Sequence, residues 1–379
     1  MVKKQANRRY LPALDALRAI AAIGIISTHV AFQTDITDPF LGAIAARMDY
    51  WVAVFFALSG YLLWGAKPSR RYYKHRFARL APAYLVYVII VLLFVPAART
   101  NSPSIIIANL LMLQIYVPGA LIGGLTHLWS LCVEVAFYLV LPLLYSLSRR
   151  IPGGTKTIIV VLAAISLAWP WVPEFLPINQ QTLPFSYGIW FALGIAAHEY
   201  RPTHKISKTR FGLCVLLAIL MAWVAGQSWY GPLGLNHPNS WQFNLRILGG
   251  LIFAASVFLP TLNVALTTDT PGRIQSWLIW AGQRGYSIFL WHLAILSFIF
   301  PLTGISLFSR SLLDSTLVLI LTTAATLVVA NLSYEFVELP ARQWLLARST
   351  KPQNSSAQQP HTEPKATVPA QENQSPQDQ

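Results

Sequence analysis

Long apolar stretches alternate with short polar segments along most of this chain. Ten of the stretches approach the length of about 20 residues that an α-helix needs to span a bilayer. None alternates strictly between apolar and polar positions, so the pattern indicates helices and argues against the strands of a membrane barrel. The predicted spans are residues 13–32, 48–65, 80–97, 128–147, 157–173, 184–200, 211–229, 244–262, 284–302 and 313–335.

A further apolar stretch runs from Ile105 to Val117 and is too short to cross a bilayer comfortably. A span at this point would also place the following basic segments on the opposite side of the membrane. We therefore predict a re-entrant or interfacial helix on the outer side, near the outer mouth of any cavity between the spans.

The composition agrees with a membrane protein. Of the 379 residues, 55% are hydrophobic and 11% are charged, whereas a soluble domain carries about 25% charged residues. Since lipid permits only helices and closed barrels as spanning structures, the predicted fold class is an all-α membrane bundle of about ten transmembrane helices.

The net charge of +14 would suggest a nucleic-acid partner in a soluble protein, but here the charge follows the spans. With a cytoplasmic N-terminus, the cytoplasmic segments contain all but five of the 28 Lys and Arg. The exceptions are Arg18, Arg47, Arg99, Arg246 and Arg310. Because positive residues accumulate on the cytoplasmic side, we predict a multi-pass protein of the bacterial inner membrane with both termini cytoplasmic and no nucleic-acid partner.

Three segments follow from this topology: a cytoplasmic N-terminus at 1–12, a transmembrane domain at 13–348 and a tail at 349–379. The tail has no aromatic residue and is rich in Gln, Pro and Ser, so we predict that it is disordered in the cytoplasm. The first apolar stretch shows no cleavage site for a signal peptide. Cys132 and Cys214 both fall in apolar stretches, which indicates neither a disulfide framework nor a metal site.

Two ionisable residues in the first span are candidates for function, since such a side chain costs about 2.5–3.5 kcal/mol to insert. Arg18 and His29 are eleven residues apart, which is close to three helical turns and about 16 Å along the axis. One helix face would then carry a guanidinium near the cytoplasm and an imidazole farther out. The alternative is that Arg18 extends to the inner interface beside Asp15 while His29 is an interfacial side chain.

Glu134 lies two turns below His127 in the fourth span, at a depth similar to that of His29. A carboxylate at this depth could pair with the His29 imidazole and prepare it for general base catalysis. The alternative is a structural Glu bonded to a neighbouring Tyr or backbone group. His127 lies at a span boundary, where a role as a helix cap or at the interface is as well supported as a role in the chemistry. His292 is either a second site histidine or a core histidine bonded across helices.

The segment after the second span holds six Lys and Arg between residues 67 and 79. Arginine binds phosphate through paired hydrogen bonds, so this segment suits an anionic cytoplasmic ligand such as the phosphates of coenzyme A. Arg76 and Arg79 share one helix face and are the stronger candidates. For Lys67, Arg70 and Arg71, topology and contact with lipid headgroups are the favoured explanation.

Five segments, taken together and in order, resemble the acyltransferase-type-3 family of integral-membrane O-acyltransferases. They run from Leu14 to Arg342 and so cover nearly the whole membrane part. The segments are Arg18 followed after ten residues by His29, VFFALSGYLL at 54–63, Arg76-x-x-Arg79-x-x-Pro82, His127-x-WSL-x-x-Glu134 with Phe137, Tyr138 and Pro142, and GQRGYSIFLWH followed by Glu338-Leu-Pro340. Each motif alone is weak, whereas five in this order are specific.

The resemblance implies transfer of an acyl group from acetyl-CoA, or another acyl-CoA, to a hydroxyl of a cell-envelope carbohydrate or glycolipid. By this resemblance, His29 corresponds to the catalytic histidine of the family, and Arg18 corresponds to its partner on the donor side. Arg76 and Arg79 match the cytoplasmic arginines of the family, and Glu134 matches its acidic residue after WSL.

The chain departs from the family pattern at one position. Members often have an acidic residue before the FF pair, where this chain has Ala53, and Asp49 lies four residues earlier. The chain is also expected to lack the fused extracytoplasmic hydrolase-like domain that some members carry, so that the membrane domain or another protein would deliver the acceptor.

The mechanism implied by these residues places acyl-CoA on the cytoplasmic side, its phosphates on Arg76 and Arg79 and its pantetheine arm beside Arg18. His29, oriented by Glu134, then deprotonates the acceptor hydroxyl for direct attack on the thioester carbonyl. No metal is expected. The expected partners are acyl-CoA, an envelope glycan or glycolipid as acceptor, and membrane lipid.

Two other functions are compatible with buried ionisable residues. A transporter or flippase of an envelope lipid or saccharide also buries His, Arg and Glu in its spans, but the chain shows neither an internal repeat nor paired Gly/Pro-broken spans. A non-catalytic envelope scaffold predicts that Arg18 and His29 tolerate replacement.

Overall fold

The computed structural model describes residues 10–347 apart from 67, 70, 101, 174–176, 202–203, 237 and 268–272. For residues 273–275 it describes the backbone alone. The predicted tail at 349–379 and residues 1–9 of the predicted N-terminal segment lie outside the described residues.

Within these ranges the chain forms helices and turns and no strand. The α-helices are α1 (Pro12–Thr34), α2 (Leu41–Ala46), α3 (Trp51–Ala66), α4 (Tyr72–Phe94), α5 (Pro103–Leu110), α6 (Trp129–Ser148), α7 (Thr155–Ala168), α8 (Gly188–Glu199), α9 (Lys208–Ala225), α10 (Ser240–Thr267), α11 (Arg273–Gln283), α12 (Gly285–Thr303), α13 (Leu312–Ser333) and α14 (Leu339–Ala347). The predicted all-α fold class is confirmed for this part of the chain.

Eight helical segments of the described chain are long and apolar enough to cross a membrane. They are Pro12–Thr34, Leu41–Ala66, Tyr72–Phe94, Thr126–Ser148, Lys208–Ala225, Ser240–Thr267, Gly285–Thr303 and Leu312–Ala347. Each of the ten predicted spans coincides with a helix, but α7 and α8 have 14 and 12 residues and fall short of this length. The count of ten spans and the cytoplasmic termini therefore stay predictions.

Prolines explain why α7 and α8 are short. A proline lacks the N–H that continues the helical hydrogen-bond ladder, and it disfavours helical geometry in the residue before it. Pro170 lies in the 3₁₀ turn that ends α7, and Pro184 begins the 3₁₀ turn that leads into α8.

The stretch predicted to be re-entrant or interfacial forms a helix only over its first part. Helix α5 covers Pro103–Leu110, and the chain then continues in turns. The Asn109 side-chain amide bonds the Ala120 carbonyl at 2.9 Å and holds this loop against the end of α5.

Helix α1 lies inside the bundle, packed against α3, α10, α11, α12 and α13. Glycines allow the closest approaches between helices, because they let two backbones meet without an intervening side chain. A Cβ on Gly282 of α11 would lie 1.8 Å from the Asp15 carbonyl oxygen of α1. A Cβ on Gly194 of α8 would lie 1.9 Å from the Ala57 carbonyl oxygen of α3.

A short π-helix, Tyr334–Glu338, joins α13 to α14. It directs Glu335 to the Arg284 guanidinium, at 2.5 Å, and Glu338 to the Ser287 hydroxyl, at 3.1 Å. The end of α13 is thereby fastened to the start of α12, and Glu338 is held at the wall of a cavity described below.

Candidate functional site

Arg18 and His29 line two different cavities, at opposite ends of α1. The first, here called the basic cavity, has a volume of about 520 Å³ and contains Arg18. The second, the histidine cavity, has a volume of about 630 Å³ and contains His29. The two cavities have four lining residues in common: Ile25, Val52, Ser130 and Phe289. The two cavities therefore adjoin at these four side chains, here called the partition.

The basic cavity collects charged residues from both ends of the sequence. Its charged lining residues are Asp15, Arg18, Arg76, Arg79, Glu134, Glu338 and Arg342. Four guanidinium groups thus face three carboxylates around one space. The three arginines predicted for the donor side, Arg18, Arg76 and Arg79, line this cavity, and so does Glu134, which was predicted to orient His29.

Arg18 is held by its own helix. Its guanidinium forms an ion pair with Asp15, one turn earlier on α1. The Tyr10 hydroxyl donates to the other carboxylate oxygen at 2.7 Å. Burial and the hydrogen bond to Asp15 raise the pKa of Tyr10 above its ordinary value of 10.0, so Tyr10 stays a neutral donor at physiological pH. The pairing of Arg18 with Asp15, which the sequence offered as part of the alternative, is present, and both residues line the cavity.

Arg76 and Arg79 have guanidinium hydrogen-bond donors that are free to bind a ligand. The Arg76 guanidinium lies 5.7 Å from the Tyr72 ring centre and 5.8 Å from the Tyr138 ring centre, in cation–π range of both. Its Nε is buried and bonds no described residue. Arg79 lines the cavity without a hydrogen bond or ion pair to any residue in the described ranges. Both side chains can therefore bind an anion without first breaking an ion pair.

Glu134 has other partners than the His29 imidazole with which the sequence analysis pairs it. Its carboxylate accepts hydrogen bonds from the Ser59 hydroxyl and from the Tyr138 hydroxyl, the latter at 2.5 Å. Tyr138 is one turn further along α6, so the bond to it is the local one named as the alternative. Glu134 lines the basic cavity, whereas His29 lines the histidine cavity.

The structure instead surrounds His29 with the two histidines whose roles the sequence left open. The His292 ring centre lies 5.1 Å from that of His29 and 4.8 Å from that of His127, and His29 and His127 are 6.4 Å apart. His127 and His292 are 3% and 1% exposed. Among the described residues, no group of three or more His, Cys, Asp or Glu is arranged to hold a metal ion.

The hydrogen bonds of two of these rings determine which nitrogen carries the proton. His292 bonds the Phe289 carbonyl through Nδ1 at 2.6 Å, and His127 bonds the Leu290 carbonyl through Nε2 at 3.2 Å. Because a carbonyl only accepts, the bonded nitrogen donates and the other nitrogen of each neutral ring has a free lone pair. Nε2 of His292 and Nδ1 of His127 are buried and bond no described residue.

The histidine cavity also has a polar and aromatic wall that the sequence did not assign. Asp49 and Arg246 line it together with Trp129, Tyr187 and Trp190. These residues come from four separate parts of the chain, around positions 49, 129, 187–190 and 246. No local motif links them, and only the packing of the helices reveals that they share a cavity with His29.

The model of the acyltransferase domain family matches residues 11–335 of this chain. The peptidoglycan O-acetyltransferase OatA of Listeria monocytogenes is 27% identical over 382 residues, covering 89% of this chain and 56% of that protein. The O-acetyltransferase OatA of Staphylococcus aureus is 26% identical, covering 90% of this chain and 59% of that protein. The acyltransferase MdmB of Streptomyces mycarofaciens is 33% identical over 201 residues, covering 48% of this chain and 52% of that protein.

The chain thus spans between half and three fifths of the length of these curated relatives. No solved structure matches it.

Proposed function

This chain belongs to the acyltransferase domain family, and on that premise we propose that it transfers an acyl group, acetyl by default, from acyl-CoA to a hydroxyl of a cell-envelope carbohydrate or glycolipid. The family match confirms the resemblance found in the sequence motifs. The chain is a multi-pass membrane protein, and we place it in the bacterial inner membrane. The carbohydrate acceptor is supported by the names of the Listeria and Staphylococcus relatives, which are O-acetyltransferases.

The observation that carries the proposal is the pair of cavities that meet at one partition. The basic cavity lies at the end of α1 that the charge distribution predicts to be cytoplasmic, where acyl-CoA is found. The histidine cavity opens toward the other end, where envelope glycans are found. Only the partition of Ile25, Val52, Ser130 and Phe289 separates a donor in one cavity from an acceptor in the other.

On the donor side, Arg76 and Arg79 hold the phosphates of acyl-CoA at the mouth of the basic cavity, with the planar, multidentate hydrogen bonds that guanidinium forms to phosphate. Arg18 lies beside the inserted pantetheine arm. Glu134 keeps a role on this side: it fixes Ser59 and Tyr138, and the Tyr138 ring in turn supports the Arg76 guanidinium.

At the partition, His29 takes the proton of the acceptor hydroxyl as its oxygen attacks the thioester carbonyl carbon. The new carbon–oxygen bond forms, the carbon–sulfur bond breaks, and the proton passes to the departing thiolate of coenzyme A. General base catalysis of this kind contributes about 10²–10⁴-fold. The His292 ring is the nearer of the two neighbouring histidine rings, and its free lone pair on Nε2 accepts a hydrogen bond from the second N–H of His29 once His29 is protonated.

The test is acyl transfer by the purified protein in detergent or nanodiscs, followed as release of the coenzyme A thiol and as acetyl ester on an envelope glycan. The His29→Gln variant should lose at least about 100-fold in turnover. His75→Gln is the matched control, because His75 is an exposed histidine on α4 outside both cavities. Near-normal turnover by a folded His29→Gln protein would remove the base from this scheme.

The same assay distinguishes acyl transfer from the alternative function as a transporter or flippase. A transporter moves labelled lipid or saccharide across a vesicle membrane without consuming thioester. Movement of label with no thiol release, unaffected by acetyl-CoA, would replace the proposed function by transport.

A further inference from the structure

Asp49 places a carboxylate in the same cavity as the catalytic histidine. It lies in the 3₁₀ turn Met48–Tyr50, directly before α3, and lines the histidine cavity together with His29. Asp49 is thus at the end of α3 that faces this cavity.

One oxygen of this carboxylate has no partner in the described chain. Asp49 Oδ1 is buried without a hydrogen bond, although a carboxylate oxygen accepts two and an unsatisfied buried one is costly. Oδ2 lies 4.0 Å from Nη1 of Arg47. The Arg47 guanidinium is fixed by the carbonyls of Ala225, at 2.6 Å, and Gly231, at 3.2 Å, so it balances the charge without covering Oδ1.

The second charged side chain of the cavity, Arg246, already forms hydrogen bonds within the protein. Arg246 donates to Gln181 Oε1 at 2.9 Å, to the Gly234 carbonyl at 2.8 Å and to the Pro232 carbonyl. Its guanidinium therefore holds the loop at residues 232–234, and Gly234 of this loop also lines the cavity. An anionic ligand would meet the Asp49 carboxylate and find these donors engaged, so the cavity suits an uncharged ligand that donates hydrogen bonds.

Part of the remaining wall is aromatic and offers mainly ring carbon, at Trp129, Tyr187 and Trp190. Trp129 and Tyr187 are 5.1 Å apart between ring centres, and Tyr187 and Trp190 are 4.7 Å apart. The polar atoms of the last two are used inside the protein, since the Tyr187 hydroxyl bonds the Gln181 carbonyl at 2.5 Å and Trp190 Nε1 bonds the Ile247 carbonyl at 2.8 Å. Apolar walls with a few placed polar groups are typical of small-molecule sites.

We propose that the histidine cavity is the acceptor subsite and that Asp49 accepts a hydrogen bond from a hydroxyl of an uncharged pyranose ring. The apolar C–H face of the sugar lies against the aromatic wall. A neighbouring hydroxyl of the same ring then points toward His29. The inference rests on the proposed function, because it names the acceptor that the acyl group reaches, and it makes Asp49 a residue for acceptor binding.

The test compares acetyl transfer to a tetramer of N-acetylglucosamine with transfer to 1-propanol, which has one hydroxyl and no ring. Asp49→Asn should raise KM for the sugar about ten- to hundredfold, the effect of losing one hydrogen bond to a charged group. The KM for acetyl-CoA and the activity toward 1-propanol should not follow it. Asp35→Asn is the control, since Asp35 is a carboxylate at the same end of the bundle that pairs with Arg310 outside this cavity.

An unchanged sugar KM in Asp49→Asn, or an equal rise for the sugar and for 1-propanol, would overturn the subsite. Binding of the tetramer without donor, followed by tryptophan fluorescence, separates this result from a failure of the proposed function. If the wild type binds sugar more tightly than Asp49→Asn yet transfers nothing, the subsite is supported and the proposed acyl-transfer function is refuted. If the wild type and Asp49→Asn bind the tetramer equally, or neither binds it, the subsite is wrong whatever the activity.

Discussion

The contact between Gly282 and α1 predicts that a single methyl group, added outside the reacting atoms, will disable the site. In Gly282→Ala the new Cβ would lie 1.8 Å from the carbonyl oxygen of Asp15 and 2.4 Å from its carbonyl carbon. Both are backbone atoms, so no side-chain rotation relieves the clash. A separation of 3.0 Å, itself a very close contact, requires α1 and α11 to move apart by about 1.2 Å.

This displacement acts directly on the basic cavity. Asp15 is the ion-pair partner of Arg18, and Gly282 itself lines the cavity. Since a misplacement of about 1 Å can cost about 100-fold in rate, we expect kcat/KM for acetyl-CoA to fall by about that factor. Overpacking of this kind also destabilises by about 1–3 kcal/mol, so the thermal midpoint should fall while the variant remains folded.

The assay is thiol release and thermal unfolding of the purified variant in one detergent. Gly212→Ala provides the control, because a Cβ on Gly212 of α9 meets nothing within 4 Å and alanine favours a helix over glycine. It should match the wild type in rate and be no less stable. If Gly282→Ala keeps its rate within about threefold of the wild type, the tight packing of α1 on α11 does not position the donor site.

Two further predictions address single side chains. Arg79→Gln should raise KM for acetyl-CoA by about tenfold or more, because a hydrogen bond to a charged group contributes about 1.5–3 kcal/mol. The control is Arg150→Gln, which replaces an exposed arginine in the predicted cytoplasmic segments and should leave this KM unchanged. Equal KM values in the two variants would contradict the phosphate role of Arg79. His292→Gln, whose amide oxygen can reach the position of Nε2, should retain at least about ten times the kcat of His292→Asn, whose shorter side chain cannot. Identical pH profiles and kcat for these two variants would show that the free lone pair on His292 takes no part.

The sequence predicted the helices well because each apolar stretch is a local signal. The predicted spans at 157–173 and 184–200 are longer than the helices α7 and α8 that the structure contains. Pro170 lies just after the end of α7 and Pro184 just before the start of α8, although the neighbouring residues remain apolar. The helical repeat likewise placed Arg18 and His29 along one side of α1, and both do line cavities. Length and periodicity are properties of one segment and can be obtained without its neighbours.

Contacts between segments could not be predicted in the same way. Glu134 was assigned a plausible depth, but depth does not determine the direction in which a side chain points, and its bonds run to Ser59 and Tyr138. His127, in the 3₁₀ turn before α6, and His292, on α12, are separated by 165 positions, and only the folded bundle brings their ring centres to 4.8 Å. Asp49 was noticed for its nearness to a family position, yet its partnerless oxygen is a property of the packed structure.

The partition between the two cavities has a consequence for the cell as well as for the reaction. A bundle that admits solutes from both sides would discharge the ion gradients of the membrane if its two cavities ever became one continuous aqueous passage. Ile25, Val52 and Phe289 present apolar surface at that point, and narrow apolar constrictions exclude water and ions. If the proposed transfer takes place at the partition, the same residues also keep the protein from conducting ions, and this requirement limits how wide the opening can be and how bulky a transferred group can pass.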